Sequence, residues 1–336
     1  MPELAQPGGW LPLVFMVLMG LAMLVYVVLD GYDLGVGVLL TAADDDDKDQ
    51  MIASIGPFWD ANETWLVLGV GILLTAFPLA HGLILGELYL PVAVMLGGLI
   101  LRGVAFDFRV KAAAAHRSAW NRAFFAGSLI AAFAQGVMLG QYVTGFDRSP
   151  WVLAFDAFVG IGLVAGYVLL GASWLLIKTS GELQLRAAAW ARTSLIFTAA
   201  GIAAISLMTP MVSARIFERW FSLPNLLLLA PIPLVTAGLF VLIAVVLRRL
   251  PRADDRYAWA PFAGTVAIFV LAFCGLAFSM VPYLVVDRMD IWQAAAAPES
   301  LKVILWGAAV VLPMIAAYTA YSYYVFRGKA SELRYD

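Results

Sequence analysis

Long apolar runs separated by short polar breaks set the rhythm of this chain. They cover residues 10–40, 58–79, 82–101, 122–143, 151–177, 191–213, 226–247, 259–286 and 301–326. A helix crosses the hydrocarbon core with about 20 apolar residues. Only helices and closed barrels satisfy their own backbone polar groups there. The pattern therefore predicts an all-α integral membrane protein with nine transmembrane helices. The second and third runs meet at a tight turn between Pro78 and Gly82, inside a stretch that is apolar from residue 66 to 101. No linker interrupts the series, so residues 1–336 read as a single membrane domain.

Basic residues orient the series, because cytoplasmic loops collect Lys and Arg. With the N-terminus outside, the inner segments hold sixteen of the 21 Lys and Arg. The outer segments keep Arg148, Arg215, Arg219, Arg288 and Lys302. The expected topology is N-out and C-in, which an odd number of helices requires.

Composition narrows the class. Hydrophobic residues make up 63% of the chain and charged residues 13%, with a mean hydropathy of +0.89. Soluble domains carry about 25% charged residues, and the spans leave no room here for a soluble catalytic domain. A net charge of −2 provides no basic field for nucleic acid. The one cysteine, Cys274, lies in an apolar run, which excludes an internal disulfide and reads as a small packing residue. The first apolar run is too long for a signal peptide and lacks a basic leader, so it reads as a retained helix. The acidic run Asp44 to Asp47, followed by Lys48, reads as a solvated inner loop.

Polar residues inside the spans carry the candidate chemistry, since ionisable groups at membrane depth are costly and usually functional. Tyr26, Asp30, Asp33 and Gly37 are spaced by four, three and four, which puts them on one helical face. Asp30 lies about 30 Å along the helix from Trp10, near the cytoplasmic boundary. Gly31 and Gly35 form a small-xxx-small pair that admits a neighbouring helix. The second cluster is Trp59-Asp60-Ala61-Asn62-Glu63-Thr64-Trp65. Carboxylates in a first helical turn are favoured by the helix dipole, which accounts for Asp60 better than for Asn62 and the two tryptophans. Arg102, at the inner end of the third run, reaches the same depth and is expected to pair with Asp60 or Glu63. Asp30, Asp33, Asp60 and Glu63 thus gather on one membrane side. They could hand protons inward, line the ion path of a transporter, or serve as ion-pair scaffolding; periodicity does not separate these.

The absences are informative. His81 and His116 are the two histidines, and they fall on opposite sides of the membrane. They cannot form a bis-histidine haem site. Neither a phosphate loop nor a His-Glu-x-x-His motif occurs. The chain does not read as catalytic alone.

Four separated motifs resemble subunit II of the cytochrome bd quinol oxidases, particularly the cyanide-insensitive branch. They are Val27 to Gly37, Trp59 to Leu66, Leu99 to Arg109, and the C-terminal pair Ile291 to Ala295 with Tyr324 to Lys329. The match runs nearly end to end. It implies nine helices in two four-helix bundles, residues 10–143 and 151–286, plus a peripheral helix at 301–327. It further implies a haem-bearing subunit I with haems b and d and the main quinol site. The complex would oxidise quinol and reduce oxygen to water in a bacterial inner membrane. No cofactor is expected in this chain itself, although some members hold a quinone in subunit II, implicating Trp59, Asn62 and Arg102. A small accessory subunit is left open. Asp30, Asp33 and Asp60 match positions implicated in proton delivery, and Glu63 joins them by proximity. Ala61 and Glu87 depart from the pattern, where a glycine and a small or neutral residue are expected. The competing readings are a secondary transporter and a purely structural assembly subunit.

Overall fold

The computed structural model describes residues 8–252 and 254–330. Its helices are α1 (Leu11–Leu39), α2 (Asp45–Ile55), α3 (Trp59–Ala76), α4 (Pro78–Glu87), α5 (Tyr89–Lys111), α6 (Ala114–Val143) and α7 (Pro150–Lys178). They continue with α8 (Gly181–Val212), α9 (Ala214–Phe221), α10 (Asn225–Leu229), α11 (Pro231–Leu247), α12 (Ala260–Met280), α13 (Ile291–Ala294) and α14 (Pro298–Val325). A short antiparallel hairpin, β1 (Tyr283–Val285) and β2 (Met289–Asp290), precedes α13. Among the described residues, eight helical segments are long and apolar enough to cross a membrane.

Several boundaries differ from those expected. Pro78 cannot continue α3 because it lacks an N–H and restricts the residue before it. The run at 58–79 therefore ends as a helix at Ala76, and α4 starts afresh at Pro78. The third helix starts at Tyr89 rather than residue 82 and continues to Lys111. Arg102 consequently lies inside α5, not at its end. The last turn of α5 holds Arg109 and Lys111 instead, cations that complement the helix dipole. The acidic run expected as a loop opens α2, with Asp45, Asp46 and Asp47 in the first turn, where the same dipole favours them. Arg186 of α8 pairs with Asp44 and Asp47. Glu87, expected in mid-span, closes α4 and pairs with Arg288 at 2.9 Å.

The chain divides into two compact units. One gathers residues up to Asp30 with Pro57–Glu87 and Met280–Arg327; the other gathers Gly31–Gly56, Leu88–Ser279 and the chain from Gly328. In the first unit, Ala22 and Tyr26 of α1 pack on Trp65 of α3, joined by Ile315 of α14. Trp292 donates its indole N–H to the Gly9 carbonyl at 2.9 Å. Ala296 N–H bonds the Ala76 carbonyl at 2.8 Å, which satisfies an orphan carbonyl at the end of α3.

In the second unit, α5 to α8 pack in chain order, and glycines set their spacing. A Cβ at Gly98 would lie 2.8 Å from the Gly127 carbonyl oxygen, and one at Gly136 2.5 Å from the Gly160 Cα. The glycine pair on α1 behaves as its spacing suggests. A Cβ at Gly35 would lie 1.8 Å from the Tyr167 carbonyl oxygen, and one at Gly31 2.7 Å from the Tyr167 ring. Beside that contact Tyr32 stacks on Trp174 at 4.3 Å, and the Trp174 indole donates to the Ser54 carbonyl at 3.2 Å. Arg192 of α8 donates to the carbonyls of Leu247 and Leu250, capping the end of α11. Downstream, Lys329 bonds the Thr179 carbonyl at 2.8 Å and pairs with Asp255, which also accepts from Gln184.

Two outcomes are expected. Gly35→Val forces α1 away from α7, an overpacking worth about 1–3 kcal/mol or more, and should lower the thermal midpoint of the purified protein. Gly71→Ala, whose Cβ meets nothing within 4 Å, should leave that midpoint in place. Separately, burial raises the Asp255 carboxyl, but hydrogen bonds from Lys329 and Gln184 and the Lys329 charge outweigh it, so the group ionises below its usual range. The anchor is then complete above the unfolded carboxylate pKa of about 3.9 and is lost as acid drives the pH through the lowered value. Asp255→Asn should remove it at neutral pH, read as faster tryptic cleavage after Lys329.

Candidate functional site

α1 continues through Asp30 and Asp33 without a break, and Tyr26, Asp30, Asp33 and Gly37 are all buried. Both aspartates are fully enclosed, at 0% exposure. Every residue from Asp30 to Gly37 is buried, so this end of α1 is enclosed on all sides and not on one face alone.

The first unit holds Asp30, Trp59, Asp60, Asn62 and Glu63. Phe58 fixes the start of α3, stacking on Tyr323 at 4.5 Å and meeting Phe326 edge-on at 6.0 Å. One turn on, buried Asn62 donates from Nδ2 to the Leu29 carbonyl at 3.4 Å. Its Oδ1 accepts from the Tyr323 hydroxyl at 3.2 Å. A single amide thus ties α1, α3 and α14 together beside Asp30. Asp60 occupies the first turn of α3 and is exposed, while Trp59 and Glu63 are half-buried. Asp60 lines an open cavity of about 340 Å³ with Thr64, Met314, Ile315, Tyr318 and Thr319. The unit therefore contains one carboxylate in an open groove and another fully enclosed, with the Asn62 amide bonded to the carbonyl of the residue before it. That gradation suits stepwise proton movement. Asn62, bonded on both polar atoms, acts first as a fastener.

The second unit holds Asp33 and Arg102. Ser128 crowds the Gly37 position one turn beyond Asp33, where a Cβ would lie 2.1 Å from its Oγ. Arg102 is 1% exposed, and its backbone is approached by Gly127 of α6. A Cβ at Gly127 would lie 2.7 Å from the Arg102 backbone nitrogen, so only a glycine lets α6 approach α5 this closely.

Three features were not found from sequence. Tyr323 was one of several tyrosines near the end of the chain, and nothing local marked it as the partner of Asn62. Buried Arg109 joins Asn121 to the half-exposed Asp49, a link across distant segments. Asp156 of α7 is 1% exposed, and neither of its carboxyl oxygens has a hydrogen-bond partner among the described residues. Its signal was present: a lone aspartate in the apolar run 151–177. A Cβ at Gly140 would lie 2.7 Å from its Oδ1, so α6 closes directly over it.

The family model described as cytochrome bd terminal oxidase subunit II matches residues 11–326. Cytochrome bd-I ubiquinol oxidase subunit 2 of Escherichia coli K12 is 27% identical, with 95% of each chain covered. Cytochrome bd ubiquinol oxidase subunit 2 of Bacillus subtilis is 29% identical, over 90% of this chain and 92% of that one. A chain of the solved bd oxidase structure from Geobacillus thermodenitrificans superposes with a TM-score of 0.74 at 17% identity. That superposition covers 94% of this chain and 98% of the other, and it establishes a shared fold.

The fastener at Asn62 has a measurable strength. Tyr323→Phe deletes one hydrogen bond and keeps the ring stacked on Phe58, at an expected cost of about 1 kcal/mol. In a double-mutant cycle with Asn62→Ala, measured by thermal unfolding, the pair should couple. Purely additive losses would show that the hydrogen bond contributes nothing.

Proposed function

The chain belongs to the cytochrome bd terminal oxidase subunit II family, and we propose that it braces a haem-bearing subunit I and delivers protons to it from the cytoplasm. As a subunit of a quinol oxidase it is part of an oxidoreductase, and it is a multi-pass membrane protein. In this reading haems b and d and quinol oxidation belong to subunit I, in a bacterial inner membrane. Asp60 and Glu63 collect protons, and Asp30 and Asp33 carry them inward. The consumed protons cross part of the membrane to meet oxygen, which separates charge without a pump.

The observation that carries the reading is the pairing, within one unit, of exposed Asp60 in its groove with enclosed Asp30 beside the Asn62 fastener. A carboxylate fully withdrawn from water is expensive to keep, and a purely structural role would be filled more cheaply by an amide. Trp59 in the first unit and Arg102 in the second each stay candidates, taken separately, for contact with a quinone. Asn62 we assign to the scaffold, because both of its polar atoms are already engaged. The same engagement favours a second reading, in which this subunit only secures assembly. A transporter would need inverted repeats and broken helices near the midplane, and α1 runs unbroken through both aspartates.

Asp30→Asn and Asp60→Asn separate the two readings. Proton delivery requires quinol-driven oxygen consumption to fall about tenfold or more while haem content and subunit stoichiometry hold. Loss of assembly with normal specific activity in the residual complex would establish the structural role instead. Unchanged turnover and assembly would remove these carboxylates from the mechanism.

A further inference from the structure

The two sides of α11 differ. Thr236, Ile243 and Leu247 are buried and share one arc of the helix at 100° per residue. Ile243 meets α12 there, since a Cβ at Gly264 would lie 2.8 Å from its Cγ1. Val241, Leu242 and Val245 lie away from that arc and are exposed. The three- and four-residue steps that keep one helical face lead from Val245 to Arg248 and Arg249. Arg248 keeps helical backbone angles, with its N–H on the Ala244 carbonyl, and the Arg249 N–H closes on the Val246 carbonyl. Both arginines therefore continue the exposed apolar face rather than opposing it.

A cation just past a helix commonly serves that helix's own last carbonyls. Here the task is already taken, because Arg192 of α8 donates to the carbonyls of Leu247 and Leu250. Arg248 and Arg249 are exposed, and among the described residues neither side chain has an acceptor or a counter-ion. The acids of the same connection are engaged elsewhere. Asp254 faces Arg252 at 3.7 Å, and Asp255 pairs with Lys329. The connection is also fixed in place, with Leu250 and Ala258 buried. Trp259, exposed one residue before α12, is a residue type that settles at headgroup level. From Arg248 back to Val241 is about 10 Å at 1.5 Å per residue, within the roughly 15 Å of one leaflet.

We propose that this face of α11 binds an anionic phospholipid. Arg248 and Arg249 hold its phosphate, and an acyl chain lies along Val245, Val241 and Leu242. Two neighbouring cations repel until an anion lies between them, and the planar guanidinium fork donates two parallel hydrogen bonds to one phosphate. A free phosphate would satisfy the arginines and leave the apolar face uncovered. A neutral lipid would cover the face and leave the charge uncompensated. An anionic lipid does both at once.

The test uses the whole purified oxidase complex, stripped of lipid in detergent. Native mass spectrometry follows titration with phosphatidylglycerol or phosphatidylcholine, with inorganic phosphate as a competitor. Phosphatidylglycerol should bind saturably and more tightly than phosphatidylcholine, and inorganic phosphate should not displace it. Arg248→Gln with Arg249→Gln should weaken phosphatidylglycerol about thirtyfold, roughly fivefold per arginine, and abolish the preference while oxidase turnover holds. Arg252 and Arg256 stay in place to orient the spans, and Arg249→Gln alone, with a loss of about fivefold, serves if the double variant fails to assemble. Val245→Ser should weaken both lipids alike and keep the preference. Equal affinity for the two lipids in the parent, or an unchanged phosphatidylglycerol affinity in Arg249→Gln, would overturn the proposal and leave these arginines as topology signals only. Displacement of phosphatidylglycerol by an equal concentration of inorganic phosphate would overturn the lipid assignment and leave a simple anion site.

Discussion

The close approach of helix backbones at paired glycines is the constraint on which the second unit rests. In a bilayer no hydrophobic effect drives one helix onto another, so dispersion contacts between closely packed surfaces must supply the attraction. Gly98 with Gly127, Gly136 with Gly160, and Gly35 with Gly171 each leave no space for a side chain. Polar links supplement these seams, as from Tyr167 to Gln135 at 2.6 Å and from Trp174 to the Ser54 carbonyl.

The first unit is held differently. Its contacts are made by large side chains, with Trp65 on Tyr26 and Phe58 on Tyr323, and by the Asn62 amide reaching two helices. One unit tolerates little change in side-chain volume, and the other depends on a few aromatic rings and one hydrogen-bonded amide. Asp30 belongs to the second kind of environment and Asp33 to the first, although one turn of the same helix separates them. Two acids that look equivalent in sequence therefore have surroundings of different stiffness.

Much of this was legible beforehand. Apolar runs of full span length identified the helical membrane class, whereas the four-three-four spacing suggested one face of α1 where Asp30 to Gly37 are buried all round. The small-xxx-small pair identified a close contact without naming α7. What was hidden has physical causes. Hydropathy is blind to a break between two apolar helices, so the boundaries around Pro78 and Tyr89 were misplaced. Charge counts treat Asp44 to Asp47 as solvated, whereas a helix dipole and Arg186 hold them at the start of α2. The Glu87–Arg288 pair and the bond from Tyr323 to Asn62 join positions more than two hundred residues apart. Local pattern carries no record of such pairs.

The glycine seam on α1 has a consequence for how the protein is made. α5 to α8 each pack against the next helix to be synthesised, so those contacts form in order of emergence, with short loops to close. α1 is different. Its glycine face waits for Tyr167 and Gly171, which leave the ribosome more than a hundred residues later. During that interval Asp33 has no finished interior to occupy, and exposure to lipid is unfavourable. α1 is therefore seated against its glycine partner only once α7 has emerged, after α5 and α6 have been made.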